Sequence, residues 1–202
     1  YTLDQGKTVK CCYKFMDNRK HSRLEGDNLP ARHVHNVNFN PTDNTFWIST
    51  GDTGGEQGEL NLIRARYDLN NDTWSFELMG SGRNYKISTL VWYGDYVYWA
   101  WDLPGGGIVK CLYTDEAIKD PSQHELIVST PNDCIGLFIG DRGDLVAIQS
   151  GYNNIYGDYS KALPRVLFYS PDRVTFYEVE GYIPPEADSL ASWYQHIWAP
   201  NS

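Results

Sequence analysis

The chain lacks any apolar run approaching the roughly 18 residues that a membrane-spanning helix needs, so no membrane span is expected. It is short of cations: 17 Lys and Arg stand against 26 Asp and Glu, for a net charge of −9. An acidic surface repels phosphate backbones, which argues against nucleic acid as a partner. There are only four cysteines, Cys11, Cys12, Cys111 and Cys134, and no CxxC spacing among them. A zinc knuckle is therefore not expected, and no metal or other cofactor is implied. Cys11 and Cys12 are adjacent, so on a strand they point to opposite faces and at most one meets the core. The thiols read as buried and free, with a Cys111–Cys134 disulfide as the alternative. No segment keeps apolar residues at 3.6-residue spacing for three turns, which excludes a helical fold. No signal peptide is evident. The chain opens at Tyr1 without an initiator methionine, so its true start is expected upstream.

What is present is aromatic and turn-rich. Aromatic residues make up 14% of the chain, with 15 Tyr and 7 Trp, and 18 Gly and 10 Pro are scattered as punctuation. That composition suits many short strands joined by turns. Internal periodicity is the stronger signal. The stretch Tyr67-Asp68-Leu69-Asn70-Asn71-Asp72-Thr73-Trp74 aligns without a gap on Tyr169-Ser170-Pro171-Asp172-Arg173-Val174-Thr175-Phe176, at an offset of 169 − 67 = 102. Two units of about 51 residues fit that offset, the length of a four-stranded propeller blade. The segment Ile108-Val109-Lys110-Cys111-Leu112-Tyr113 supplies the unit between, and Val9-Lys10-Cys11-Cys12-Tyr13 echoes it near the start.

Each complete unit is predicted to hold four strands. In unit one they cover 33–39, 45–50, 60–67 and 74–79; in unit two 87–93, 96–101, 108–113 and 125–129; in unit three 135–139, 145–150, 165–169 and 175–180. Turns rich in Asp, Asn and Gly join the first strand to the second each time, as at Gly94-Asp95. The expected fold is all-β: a propeller of four-stranded blades over 31–80, 84–130 and 133–181. An incomplete blade covers 1–30 and a partial one 182–202. About four blades fit. Either the ends complement each other in a closed four-bladed ring, or further sequence or another chain completes a larger propeller, since an open stack leaves sticky edges.

The stretches around Asn70–Trp74 and Asp172–Phe176 resemble degenerate Asp boxes, with the pattern Ser-x-Asp-x-Gly-x-Thr-Trp. Asp68 and Asp72 replace Ser and Gly in the first, and Val174 replaces Gly in the second. Together with Arg32–Pro41, Trp47–Asp52 and Leu90–Asp102, they make the chain similar to sialidase-like (BNR-repeat) propellers over about residues 32–182. In the box, Asn70 or Asp172 is expected to bond backbone N–H groups of the turn. The aromatic, Trp74 or Phe176, is expected to pack between sheets. The resemblance implies an extracellular or cell-surface setting and a site on the face opposite the boxes.

Three features fall on that face. His33 and His35 are two apart on a first strand, so they share a side, with Arg32 beside them. They read as a proton shuttle, as a pair of metal ligands with no third ligand evident, or as polar filling of a channel. Asp52 and Asp102 end second strands at an offset of 50; paired carboxylates are the machinery of glycoside hydrolysis. The bland alternative is turn capping. Tyr85, Trp101 and Tyr152 add flat rings that can stack on sugars. The catalytic candidates are thus Asp52, Asp102 and His33, and the substrate-binding ones Arg32, His35, Tyr85, Trp101 and Tyr152. A sialidase's three arginines and tyrosine nucleophile cannot be assembled from these residues. The function expected is recognition of a glycan, with or without hydrolysis. The alternative is a structural or receptor-binding module of a larger assembly.

Overall fold

A computed structural model describes residues 5–13, 15, 31, 33–51, 59–103, 105–149 and 165–182. These residues form three four-stranded antiparallel sheets. Sheet one comprises β1 (His33–Asn40), β2 (Thr45–Gly51), β3 (Asn61–Asp68) and β4 (Thr73–Ser81). Sheet two comprises β5 (Ile87–Tyr93), β6 (Tyr96–Trp101), β7 (Gly107–Leu112) and β8 (Glu125–Ser129). Sheet three comprises β9 (Cys134–Ile139), β10 (Leu145–Gln149), β11 (Arg165–Ser170) and β12 (Tyr177–Tyr182). All twelve expected strands are present, each sheet in simple up-and-down order.

The sheets repeat one another down to their irregularities. Each first strand carries one extra residue near its start, at His35, Ser88 and Ile135. Each fourth strand carries another, at Met79, Ile127 and Val179. Such bulges bend and twist a strand at a defined place, so their recurrence fixes which residues correspond. Along the first strand the offsets are 88 − 35 = 53 and 135 − 88 = 47. Along the third strand they are uneven, because Leu62, Ile108 and Leu167 pair with the corresponding residues Ser49, Ala100 and Ile148. The sheet-one-to-three offset there is 167 − 62 = 105, not the 102 of the gapless alignment. Tyr67 and Tyr169 lie in corresponding strands, but the ladder register puts Tyr169 opposite Arg64's place. The reason is the hairpin: β3 stays paired out to Asp68↔Thr73, whereas pairing of β11 with β12 closes at Tyr169↔Tyr177.

Sheet two is apolar on both faces. Val97 and Trp99 of β6 join Trp47, Leu62, Met79 and Leu90 between sheets one and two. Tyr98 and Ala100 of the same strand join Leu137, Leu145 and Ala147 between sheets two and three. Strand alternation alone produces this division. The first strands are tied by side chains that reach a neighbour's backbone. Asn36 Nδ2 donates to Ser88 O at 3.0 Å, and Ser88 Oγ donates to Cys134 O at 2.8 Å.

A short helix, α1 (Asp115–Lys119), lies in the β7–β8 connection, against the expectation of no helix. Thr114 Oγ1 caps it by accepting from Ala117 N, and Asp115 and Glu116 occupy its positive first turn. Arg64 of β3 grips it, donating to both Asp115 carboxylate oxygens at 2.5 and 2.7 Å and to Glu77 at 2.6 Å. All four cysteines are free. Cys111 and Cys134 are buried in different clusters, which removes the disulfide alternative. Burial pushes their thiols up to about 11 and 12, so both stay protonated. Cys11 and Cys12 are both exposed, contrary to the burial expected, because neither lies in a strand.

Among the described residues, no helix is long and apolar enough to cross a membrane.

Candidate functional site

The turn motifs are settled first, because they are structural. Asp172 Oδ1 accepts from the N–H groups of Val174 and Thr175 at 2.9 and 2.7 Å. Those bonds favour the ionised form and hold the carboxyl down to about 2. In sheet one the same task falls to Asp68 rather than Asn70: its Oδ1 accepts from Asn70 N and Asn71 N at 2.9 and 3.3 Å. The longer ladder places Asp68, not Asn70, at the mouth of the turn. Phe176 packs in the cluster between sheets two and three. Trp74 instead sits beside Phe46 and Phe76 on the far face of sheet one, where Tyr13 also meets Phe76.

At the other end, polar side chains collect where the first strands begin. His33, Lys86 and Asp133 hold corresponding positions, at the same offsets of 53 and 47 (86 − 33 and 133 − 86) that relate the bulges. Asp102 is fixed beside Lys86 because its N–H donates to Lys86 O at 2.9 Å. The Lys86 ammonium then lies 3.3 Å from Asp102 Oδ2, with both side chains largely buried. His35 Nδ1 stands 3.2 Å from Ile87 O and 3.6 Å from Asp102 Oδ2. A carbonyl oxygen only accepts, so Nδ1 carries the proton and donates. Burial lowers the His35 pKa, partly offset by Asp102, so the ring is neutral at neutral pH with Nε2 unprotonated. The His33 ring lies against it, centroids 4.7 Å apart. Gly51 makes room: a Cβ there would come within 2.6 Å of His35 Cε1.

Asp133 adds a buried carboxyl beside Asp102 and Lys86, and Gln149 pairs with the next residue along, Cys134. Asp133 is 7% exposed and Gln149 3%. Among the described residues neither Asp133 Oδ1 nor Gln149 Oε1 has a hydrogen-bond partner. Burial, then the neighbouring Asp102 charge, pushes the Asp133 carboxyl up to about 6, with Lys86 opposing. A buried acceptor left without a donor costs stability, so two together call for an explanation. The arrangement offers two unspent acceptors, one ammonium and one neutral imidazole nitrogen. That set matches a neutral ligand rich in hydroxyl groups. Among the described residues, no group of three or more His, Cys, Asp or Glu side chains is placed to hold a metal ion.

Of the residues expected from sequence, the structure brings together His33, His35 and Asp102. Arg32, Asp52 and Tyr152 lie outside the described residues. In the ladder register Ser49 corresponds to Ala100, so the residue that corresponds to Asp102 is Gly51. The hairpin turns differ in length, four residues at 41–44 against two at 94–95, which reduces the offset from 53 on the first strands to 51 on the second, so an offset of 50 misses the ladder by one residue. Tyr85 is not at the site but in the core. Its ring closes over Gly80, where an added Cβ would run into it, and its hydroxyl donates to Ile118 O at 2.9 Å. Trp101 packs against the first core cluster and donates from Nε1 to Arg83 O at 3.0 Å. Lys86, Asp133 and Gln149 were not among the site residues expected from sequence, although Lys86 lies beside Tyr85 in a loop expected on that face. A signal existed for two of them: Lys86 and Asp133 each stand immediately before a first strand.

No family model matches this chain, and no curated protein matches it at a significant level.

Proposed function

We propose that the three sheets are blades of a propeller of the sialidase-like, Asp-box kind, and that the chain recognises carbohydrate where its first strands begin. The observation that carries this reading is the corresponding placement of His33, Lys86 and Asp133 in consecutive sheets, beside the unspent acceptors Asp133 Oδ1 and Gln149 Oε1. Radial packing is supported by the contacts of β5 with both β1 and β9, which make the first strands the shared centre. Sugar hydroxyls donate to Asp133, Gln149 and His35 Nε2, and the Lys86 ammonium donates to the ligand's oxygens. An extracellular setting suits a glycan ligand. In the hydrolytic form of this reading Asp133, protonated up to about pH 6, is the acid, and Asp102 is the second carboxyl group.

A glycan array tests the reading, followed by calorimetry on Asp133→Asn and Lys86→Met. Retention of a glycan by the parent protein and a loss of affinity of at least about tenfold (1.4 kcal/mol) in both variants are expected. An array on which nothing is retained sinks it. Turnover of the retained glycan that survives Asp133→Asn leaves binding without the acid role.

The second reading, a non-catalytic module of a larger assembly, draws on one observation: sheet three exposes Ile135, Phe138 and Val179 on a single face. Light scattering at micromolar concentration distinguishes it, since a monomer contradicts assembly.

A further inference from the structure

Where sheets two and three meet near the start of their first strands, one cation stands beside two carboxyl groups. Lys86 pairs with Asp102 at 3.3 Å, within sheet two. Asp133 of sheet three has no ion-pair partner among the described residues, although it is only 7% exposed and feels both Asp102 and Lys86. Gln149 ends β10 of the same sheet. Leu145, Ala147 and Gln149 alternate along that strand, so all three turn toward sheet two. Gln149 is 3% exposed, and its Oε1 lacks a donor. The imbalance has the same sign twice over. Asp133 Oδ1 and Gln149 Oε1 are both acceptors, and the carboxyl groups outnumber the cations.

A ligand that is only hydroxylated supplies donors but no charge. It suits this place while Asp133 keeps its proton, which it does up to about pH 6. At neutral pH the Asp133 carboxyl ionises, and a buried carboxylate without a counter-charge is far costlier than an unbonded neutral group. An ammonium group corrects both faults at once, because it brings one positive charge and several N–H donors. An acidic sugar would add a further negative group and leave Asp133 unpaired.

We infer that the ligand is an amino sugar, a hydroxylated ring with an unacetylated amino group, whose ammonium pairs with Asp133 while a ring hydroxyl donates to Gln149. The inference rests on the carbohydrate reading, in its binding form, and adds the class of sugar. It assigns that specificity to Asp133 rather than to Asp102, which Lys86 already serves. The charged groups that face Asp133 are Asp102 and Lys86, both of sheet two. His35 of sheet one follows, 3.6 Å from Asp102, with the His33 ring against it.

Calorimetry with two trisaccharides tests it, one of glucosamine and one of N-acetylglucosamine, which differ only in the acetyl groups that mask the amines. At pH 7 the parent protein is expected to bind the first at least about tenfold more tightly. At pH 5 that preference is expected to shrink by up to about tenfold, because Asp133 then holds a proton that the ammonium must displace. Asp133→Asn keeps the shape and removes the charge, so the variant is expected to bind the two sugars alike at both pH values. Equal affinity of the parent for the two trisaccharides overturns the inference and leaves carbohydrate recognition standing. Binding of neither, with another glycan retained on the array, has the same consequence. A preference that survives Asp133→Asn also overturns it. If no glycan of any kind is retained, the inference and the carbohydrate reading fall together.

Discussion

Between sheets one and two, Trp47 and Trp99 meet Leu62, Met79 and Leu90, and a charged clasp of Arg64, Asp115, Glu77 and Lys119 spans the outer strands. Between sheets two and three, the smaller residues Ala100, Ala147 and Cys134 take part, and a carboxyl group, Asp133, is buried beside them. The backbone frame is the same, with bulges in corresponding places, yet the filling differs. The comparison shows that register and bulges define an interface, while its stability depends on which side chains the frame receives. At the first interface charge reinforces packing. At the second, buried charge opposes it.

Mutations that break this contrast are ordered by expected effect. Trp99, 1% exposed, is the largest fully buried side chain that sheet two contributes to the first interface, and Trp99→Ala is expected to cost about 3 to 5 kcal/mol. Phe168→Ala at the second interface is expected to cost only roughly 1 to 2 kcal/mol, because Phe168 is partly buried. Urea unfolding of both variants checks the ranking, and equal losses would erase the distinction between the two interfaces. Adding Val109→Phe to Trp99→Ala imitates the Ala147–Phe168 pair and is expected to recover part of the loss.

Asp133 gives the next effect, and it depends on pH. Its carboxyl is raised in the folded state, so the folded protein holds this proton more tightly than the unfolded chain does. The contribution of this group to stability is therefore greatest below about pH 4, falls as pH rises from about 4 to about 6, and is flat above. The loss across that window reaches at most about 3 kcal/mol. Asp133→Asn is expected to abolish this slope, making the variant relatively more stable at pH 8 than at pH 4.5. Urea midpoints at the two pH values measure it, and an unchanged slope rejects the buried-carboxyl account.

Arg64→Met removes the clasp at the first interface. A loss of roughly 2 kcal/mol is expected, limited by the solvent that reaches Asp115 and Glu77. High salt should narrow the gap between parent and variant by weakening the parent. The smallest effect is local: Asp172→Ala frees the Val174 and Thr175 amides and speeds their hydrogen exchange, with the cores unchanged. A global drop in stability would contradict the purely local role of that turn.

Much of this molecule is legible in the residues. The twelve strands follow from short apolar runs between Asn, Asp and Gly turns, and Asp172 was readable as a turn residue. The misreadings have physical causes. Asp52 and Asp102 were matched at an offset of 50, but the ladder relates the second strands at an offset of 51, and only cross-strand pairing reveals that single-residue difference. Tyr85 carries a hydroxyl and follows a polar stretch, so it looked ligand-facing; Gly80 opens a slot that draws it inward. Helix α1 is too short to show a periodicity, and only Thr114 followed by two acids announced it.

By itself the amino-acid sequence determined the strands, their order and their approximate fifty-residue repeat, because alternation and turn chemistry act between near neighbours. Only the tertiary structure decided where the bulges fall, which faces are covered, and that His35, Lys86, Asp102 and Asp133 share one buried place. Those outcomes depend on contacts between residues about fifty positions apart, whose register is set by the packing of whole sheets.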